Sequence, residues 1–197
     1  MSKIAPMLAT VGTEIPRGEG WVFEPKYDGI RILGFASGDG VALISRNGLD
    51  KTRQFPEIVD ALREVHSRAK RPFVIDGEVV AMRDGAPARF QELQSRMHVR
   101  RAVEARRLAS LAPVTYLAFD VLRLYGVDLT GRPFAERRAT LALAQVLAGH
   151  VAGHRNRRHR PRFRVPLGVV DLLEQRDAAE PVGDRVAELG QQSGPEP

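Results

Sequence analysis

A chain of 197 residues, 43% of them hydrophobic, is long enough to bury one substantial core with a further extension. The absence of cysteine excludes disulfides and thiolate metal centres, and no apolar run reaches the roughly 20 residues that a membrane-spanning helix needs. A formal net charge of +6 suits an anionic partner such as nucleic acid, although an arginine-rich composition produces the same charge without one.

Met1-Ser2-Lys3 leads into Pro6 without the apolar stretch of a secretory signal, so a cytoplasmic protein is expected. Trp21-Val22-Phe23 and Ile30 to Ala36 read as strands with a short loop between them. The turn signal Ser37-Gly38-Asp39-Gly40 and the alternation from Val41 to Ser45 predict a hairpin over 30–45. Phe55, Ile58, Val59, Leu62 and Val65 recur at helical spacing and predict a helix from Phe55 to Arg68. Phe73 to Met82 is a near-continuous apolar run interrupted by Asp76-Gly77-Glu78, which predicts a buried strand carrying acids, and Arg83-Asp84-Gly85 turns the chain. Phe90 to Met97 and Arg101 to Leu108 read as short helices, Val114 to Leu124 as a strand, and Phe134 to Leu147 as a helix. Regular βαβ alternation is missing, so the expectation is an α+β domain with mostly antiparallel sheets.

The character of the chain changes near Gly149. Residues 150–164 hold three of the five histidines and six arginines with almost no apolar side chain, a block that repels itself and stays solvated. Leu167 to Leu173 is a short apolar patch that could join one helix, and Gln191 to Pro197 reads as a frayed end. The expected organisation is therefore a domain over 1–148 and a basic, then mixed, poorly ordered tail over 149–197.

The segment with the most chemical content is Glu24-Pro25-Lys26-Tyr27-Asp28-Gly29-Ile30-Arg31. An ordinary lysine, with a pKa of about 10.4, is roughly one part in a thousand neutral near pH 7.4, a handicap of about 4 kcal/mol for a nucleophile. Glu24 and Asp28 deepen that handicap, so a nucleophilic Lys26 needs a compensating positive field, which Arg31, other cations and a divalent metal would supply. The plain alternative is an exposed lysine paired with its acidic neighbours.

Lys26-Tyr27-Asp28-Gly29-Ile30-Arg31 resembles the nucleotidyl-lysine motif, Lys-x-Asp-Gly-x-Arg, of ATP-dependent DNA ligases, RNA ligases and mRNA capping enzymes. Four later segments match the DNA ligase branch in order: Ser45-Arg46-Asn47-Gly48, Asp76-Gly77-Glu78-Val79-Val80, Phe90-Gln91-Glu92-Leu93-Gln94 and Tyr116-Leu117-Ala118-Phe119-Asp120. Pro6-Met7-Leu8-Ala9 fits as well, and the details are nearest to ligases of bacterial end joining. Resemblance over residues 3–142 implies an antiparallel-sheet nucleotidyltransferase fold of the ATP-grasp-like ligase and capping-enzyme kind.

That resemblance implies Lys26 as the residue that takes AMP from ATP, with Mg²⁺ as the metal. It implies nucleotide contacts from Glu24 to the adenine amine, from Tyr27 and Arg31, from Arg46, from Glu78 to the ribose or to the metal, and from Phe119 stacked on adenine. Taken alone, Arg46 in its Asn47-Gly48 turn reads as readily as a salt-bridge partner, and Phe119 as a core residue. Arg96, His98 and the arginines of 100–107 read either as a surface that follows a DNA backbone or as a solvated face, and His98 as a surface histidine. The implied partners are nicked or broken double-stranded DNA and end-joining repair proteins, with no membrane.

The resemblance then departs. Ligases of this kind continue with a Glu-Gly-Val-Val-x-Lys segment, a Trp-Leu-Lys-x-Lys segment and an OB domain, whereas this chain has Trp21 as its one tryptophan and Lys70 as its last lysine. The expectation is an incomplete adenylation domain with no OB domain, in which activity is impaired. The competing expectation is a non-catalytic remnant that binds nucleotide or DNA weakly.

Overall fold

Alternating apolar residues and a tight turn give the first hairpin, strand β1 (Ile30–Ser37) and strand β2 (Gly40–Ser45), paired from Ile32 opposite Ser45 to Ser37 opposite Gly40. The computed structural model describes residues 4–18, 20–152 and 163–164. Helix α1 (Pro56–Ala69) starts with proline in its first turn, where a missing N–H costs nothing, and ends on Lys70 in the left-handed conformation. Strand β3 (Phe73–Arg83) follows, then the two-residue strand β4 (Ala86–Pro87) returning on its end. A 3₁₀ turn over Phe90–Leu93 runs into the short helix α2 (Gln94–Met97), and helix α3 (Ala102–Leu111) follows. Strand β5 (Val114–Leu124), strand β6 (Val127–Asp128), helix α4 (Phe134–Ala152) and strand β7 (Phe163–Arg164) complete the described elements.

The sheet runs β2-β1-β3-β5-β6 with antiparallel neighbours throughout, and β7 lies parallel to β5 at Tyr116 and Leu117. This is the expected α+β antiparallel architecture. One face packs Ile32, Ile75, Val79 and Tyr116 against Phe55, Ile58 and Leu62 at α1 and Leu141 of α4, forming the main core. The opposite face is apolar at one end, where Leu33, Val74 and Leu122 pack with Ile4 and Phe35. At its other end the same face carries Arg31 opposite Glu78, next to the Leu33–Asp76 pair. Both faces of β3 are covered along most of its length, which is why its sequence reads as nearly continuous apolar residues.

Tyr116 ties the three central strands together. Its hydroxyl lies 2.8 Å from the Ile32 carbonyl and 3.2 Å from that of Ile75, while its ring lies against Gly77. A Cβ on Gly77 would stand 2.5 Å from the Leu117 carbonyl oxygen and 2.8 Å from two ring carbons of Tyr116, so this position of the Asp-Gly-Glu segment admits no side chain.

Three sequence expectations change. Trp21–Phe23 enters no strand, because β1 is already paired on both edges and Pro25, which lacks an N–H, follows directly. Arg96 is neither a solvated nor a DNA-facing residue: it is 0% exposed, takes both carboxylate oxygens of Glu57 at 2.6 and 2.9 Å, and donates to the carbonyls of Gln54 and Ala112. Helix α4 continues to Ala152, past Leu147, and Phe163–Arg164 of the basic block pairs with β5. The remainder of the expected tail, 153–162 and 165–197 with the Leu167–Leu173 patch, lies outside the described residues.

Candidate active site

Lys26 sits in the irregular segment that leads into β1, and that segment is pinned just after it. A Cβ on Gly29 would lie 2.3 Å from the Val79 carbonyl oxygen and 2.9 Å from Glu78 Cγ, so only glycine lets the backbone press so closely on β3. From there the Gly29 N–H faces the Glu78 carboxylate and favours its charged form. Asp28 makes the second anchor, its Oδ2 accepting the Phe90 N–H at 2.9 Å, where it satisfies a free donor at the start of the 3₁₀ turn. Two consecutive residues of the motif thus tie the exposed Lys26 to two different parts of the fold.

Beneath this segment Arg31 grips Asp76 with Nε at 3.2 Å and Nη2 at 2.8 Å. The fork is bidentate, which fixes the guanidinium plane. Its Cζ stands 5.4 Å from the centroid of the Phe119 ring. Phe119 reaches that place through a β-bulge: Gly77 pairs with Ala118 and Asp76 with Asp120, leaving Phe119 as the extra residue of β5. A bulge re-aims a side chain, and this one leaves the ring half-buried on the face that holds Arg31.

Burial pushes the carboxyl of Glu78 up to about 7, an effect that the positive charge of Arg31 opposes and Asp76 reinforces. Glu24 is likewise raised to about 7, by burial first, with Arg138 pulling it down and Asp120 pushing it up. Desolvation also raises Asp76, against the pull of Arg31, and raises the Tyr27 phenol. Glu24 and Glu78, both raised to about 7 by burial, are the groups whose ionisation an arriving cation or hydroxyl donor would change.

Arg46 lies one residue past β2, and its N–H donates to the Arg31 carbonyl at 3.2 Å, which extends the hairpin and sets the two arginines side by side. Its side chain is exposed. Arg31, Glu78 and Phe119 therefore share one end of one sheet face, with Arg46 at its edge. The charge of Glu24 helps raise the Tyr27 phenol, and Glu24 itself feels Arg31 and Asp76. Sequence reasoning gave no site role to Asp76, Asp120 and Arg138, and read Asp28 only as an acidic neighbour of Lys26. The Asp76-Gly77-Glu78 triplet was the available signal for the first; Asp120 finds its partner Arg137, and Arg138 the Ala118 carbonyl, only through the fold. His98 is exposed, as expected. Among the described residues, no group of three or more histidines, cysteines or acids is arranged to hold a metal.

A family model described as ATP dependent DNA ligase domain matches residues 6–158. The chain belongs to this family. The ligase domain is 43% identical over 150 residues to DNA ligase C of Mycobacterium tuberculosis, covering 76% of this chain and 40% of that protein. It is 34% identical over 128 residues to the bifunctional non-homologous end joining protein LigD of Bacillus subtilis, covering 64% of this chain and 21% of that one. Among solved structures, the ligase domain of M. tuberculosis LigD superposes with a TM-score of 0.58 at 32% identity, over 82% of this chain and 45% of that one. A mycobacterial DNA ligase D complexed with ATP and MES gives a TM-score of 0.55 at 34% identity, over 74% of this chain and 42% of that one. This ligase domain thus spans about 40% of the length of the mycobacterial DNA ligase C that it matches.

Proposed function

We propose that this chain carries the nucleotide-binding half of an ATP-dependent DNA ligase and that Lys26 is its nucleophile. The observation that supports this most is the double anchoring of the Lys26 segment, by Gly29 against β3 and by Asp28 on Phe90, above a floor built from Arg31, Glu78 and Phe119. Positioning of this kind is worth several kcal/mol in a bimolecular step.

In this reading the deprotonated Lys26 Nζ attacks the α-phosphorus of ATP. A nitrogen–phosphorus bond forms as the bond from that phosphorus to the bridging oxygen breaks, and pyrophosphate leaves with its electron pair. The amine proton passes to water. Phe119 offers its ring to adenine, Glu24 and Tyr27 line the same end, Arg31 and Arg46 face the ribose and phosphates, and Glu78 accepts from the ribose. AMP then moves to a 5′-phosphate of nicked or broken double-stranded DNA, and a 3′-hydroxyl displaces it. End-joining repair proteins are the natural partners, in the cytoplasm. Among the described residues no helix is long and apolar enough to cross a membrane.

Mg²⁺ sheds water reluctantly and is commonly held by one or two carboxylates together with substrate phosphates. Glu78, a half-buried carboxyl raised to about 7 and beside Asp76, fits that mode. Bound there, the metal would neutralise charge on the phosphates.

A second reading is that the chain binds nucleotide or DNA with turnover slowed or lost; the exposed position of Lys26 beside its acidic neighbours is what favours it. Incubation with α-labelled ATP and Mg²⁺, followed by a denaturing gel, separates the two. Label on the wild type that vanishes in Lys26→Ala supports the nucleophile. ATP or DNA binding without label leaves the second reading, and a chain that takes no label and binds neither ATP nor DNA rejects both.

A further inference from the structure

Phe119 is the extra residue of a β-bulge and stands outside the ladder, so pairing with β3 does not by itself set where its ring points. The chain on either side of it is met from helix α4. Arg137 takes both oxygens of the Asp120 carboxylate, with Nε at 2.9 Å and Nη2 at 2.8 Å, and its Nη1 donates to the carbonyl of Arg132. Asp120 is 1% exposed and also accepts the N–H of Val121 at 2.8 Å, so three hydrogen bonds fix its side chain. Arg138, the next residue of the helix, donates to the carbonyl of Ala118 at 3.3 Å. Adjacent residues of α4 thus hold the residue before Phe119 and the residue after it.

The register makes this hold necessary. Asp120 lies opposite Asp76, and two carboxylates directly opposite one another repel. Each is met by its own guanidinium fork, Asp76 by Arg31 of β1 and Asp120 by Arg137 of α4. The ring of Phe119 is seated against the first fork, with Arg31 Cζ 5.4 Å from its centroid, and its backbone adjoins the second.

We propose that Arg137 is a positioning residue for the Phe119 ring: from α4 it holds Asp120, and so fixes the bulge that presents the ring beside Arg31. The donation from Arg138 to Ala118 secures the other side of the same bulge. Without Arg137 a buried carboxylate at position 120 would face Asp76 unpaired, and the bulge is where the chain can give way. The effect on a nucleotide rests on the reading of Phe119 as the ring that stacks on adenine; the hold on the ring does not.

Fluorine NMR of 4-fluorophenylalanine placed at position 119 reads the ring without any ligand. The resonance should move and broaden in Arg137→Gln and return part of the way in Arg137→Lys, which keeps the charge but not the fork. It should stay in place in Arg106→Gln, an exposed arginine of α3. In a titration with ATP, Arg137→Gln should weaken binding about fivefold, less than Phe119→Leu does, because the ring is displaced rather than lost. Added to Phe119→Leu, Arg137→Gln should cost no further affinity, whereas a general loss of packing would add to it. Inorganic tripolyphosphate, which has no base to stack, should bind Arg137→Gln as it binds the wild type. Should Arg137→Gln fail to fold, Arg137→Gln combined with Asp120→Asn leaves no charge buried without its partner and must move the resonance in the same way. An unmoved resonance in a folded Arg137→Gln, or in the double variant where the single one does not fold, overturns the proposal. So does an additive loss in the cycle with Phe119→Leu, or an equal weakening of tripolyphosphate. A wild type that binds no ATP rejects the nucleotide reading instead, and the fluorine measurement still decides the hold on the ring.

Discussion

Gly29 lies so close to Val79 that a Cβ at position 29 would stand 2.3 Å from the Val79 carbonyl oxygen, with Glu78 Cγ and a Val80 methyl at 2.9 Å. The nearest atom is backbone and cannot rotate away. The glycine of the Lys26-Tyr27-Asp28-Gly29 segment therefore sets how near this segment can be brought to the central strand. Gly29→Ala should cost about 2–3 kcal/mol of stability, at the upper end of overpacking, because β1 or β3 has to shift. Urea unfolding measures it; a loss under about 0.5 kcal/mol, which is ordinary for a surface substitution, would show that the close approach is relieved without strain.

Arg31 and Asp76 form a bidentate pair in which the acid is 1% exposed. Removing only the cation leaves a buried carboxylate without its partner, so Arg31→Ala should lose roughly 3 kcal/mol. Arg31→Lys keeps the charge but not the fork and should recover only part of this. In the double variant Arg31→Ala with Asp76→Asn the loss should be clearly smaller than the sum of the two single losses. Additive losses in such a cycle would mean the pair is not coupled.

Helix α1 was legible from its helical spacing, and strands β1, β3 and β5 from apolar runs of eight or more residues bounded by turn residues. The motif residues Arg31, Glu78 and Phe119 were legible as types and as spacing. Their meeting was not. It depends on a register, Arg31 opposite Glu78, and on a bulge that turns Phe119 out of the strand alternation. Arg96 shows the same limit: in a polar stretch it reads as a surface charge, yet its partners Gln54 and Glu57 lie some 40 residues earlier, with separations of 42 and 39. Trp21–Phe23 has strand composition, but β1, the strand that follows it, is already paired on both edges. Local pattern carries the elements, whereas charge pairing across the sheet is decided by topology.

The two carboxyls raised to about 7, Glu24 and Glu78, make stability fall as pH rises. Between the ordinary carboxyl pKa of about 4.3 and the folded value, the folded chain keeps protons that the unfolded chain has released, so each step up in pH favours unfolding until the folded groups have ionised. The Tm should therefore decline from pH 5 to pH 7.5 and level off above. Comparing the wild type with the Glu24→Gln, Glu78→Gln double variant isolates these two groups from every other titration. The variant should show a visibly flatter decline, and parallel curves would place both carboxyls at ordinary values.

Phe119 is half-buried, sits at a bulge and has Arg31 over its face, so its ring is available to a planar ligand without being essential to the core. Stacking of a base on an aromatic ring is worth about 1–3 kcal/mol. Phe119→Leu keeps most of the apolar volume while removing the flat face, and it should weaken ATP binding by roughly tenfold while lowering stability by only about 1 kcal/mol. Phe119→Tyr should bind nearly as the wild type does, since the face is retained. Titration with ATP and urea unfolding of the same samples distinguish the two roles. A loss of about 3 kcal/mol in stability with ATP affinity intact would make Phe119 a packing residue, and the adenine would then have to lie elsewhere than on the ring that the bulge presents.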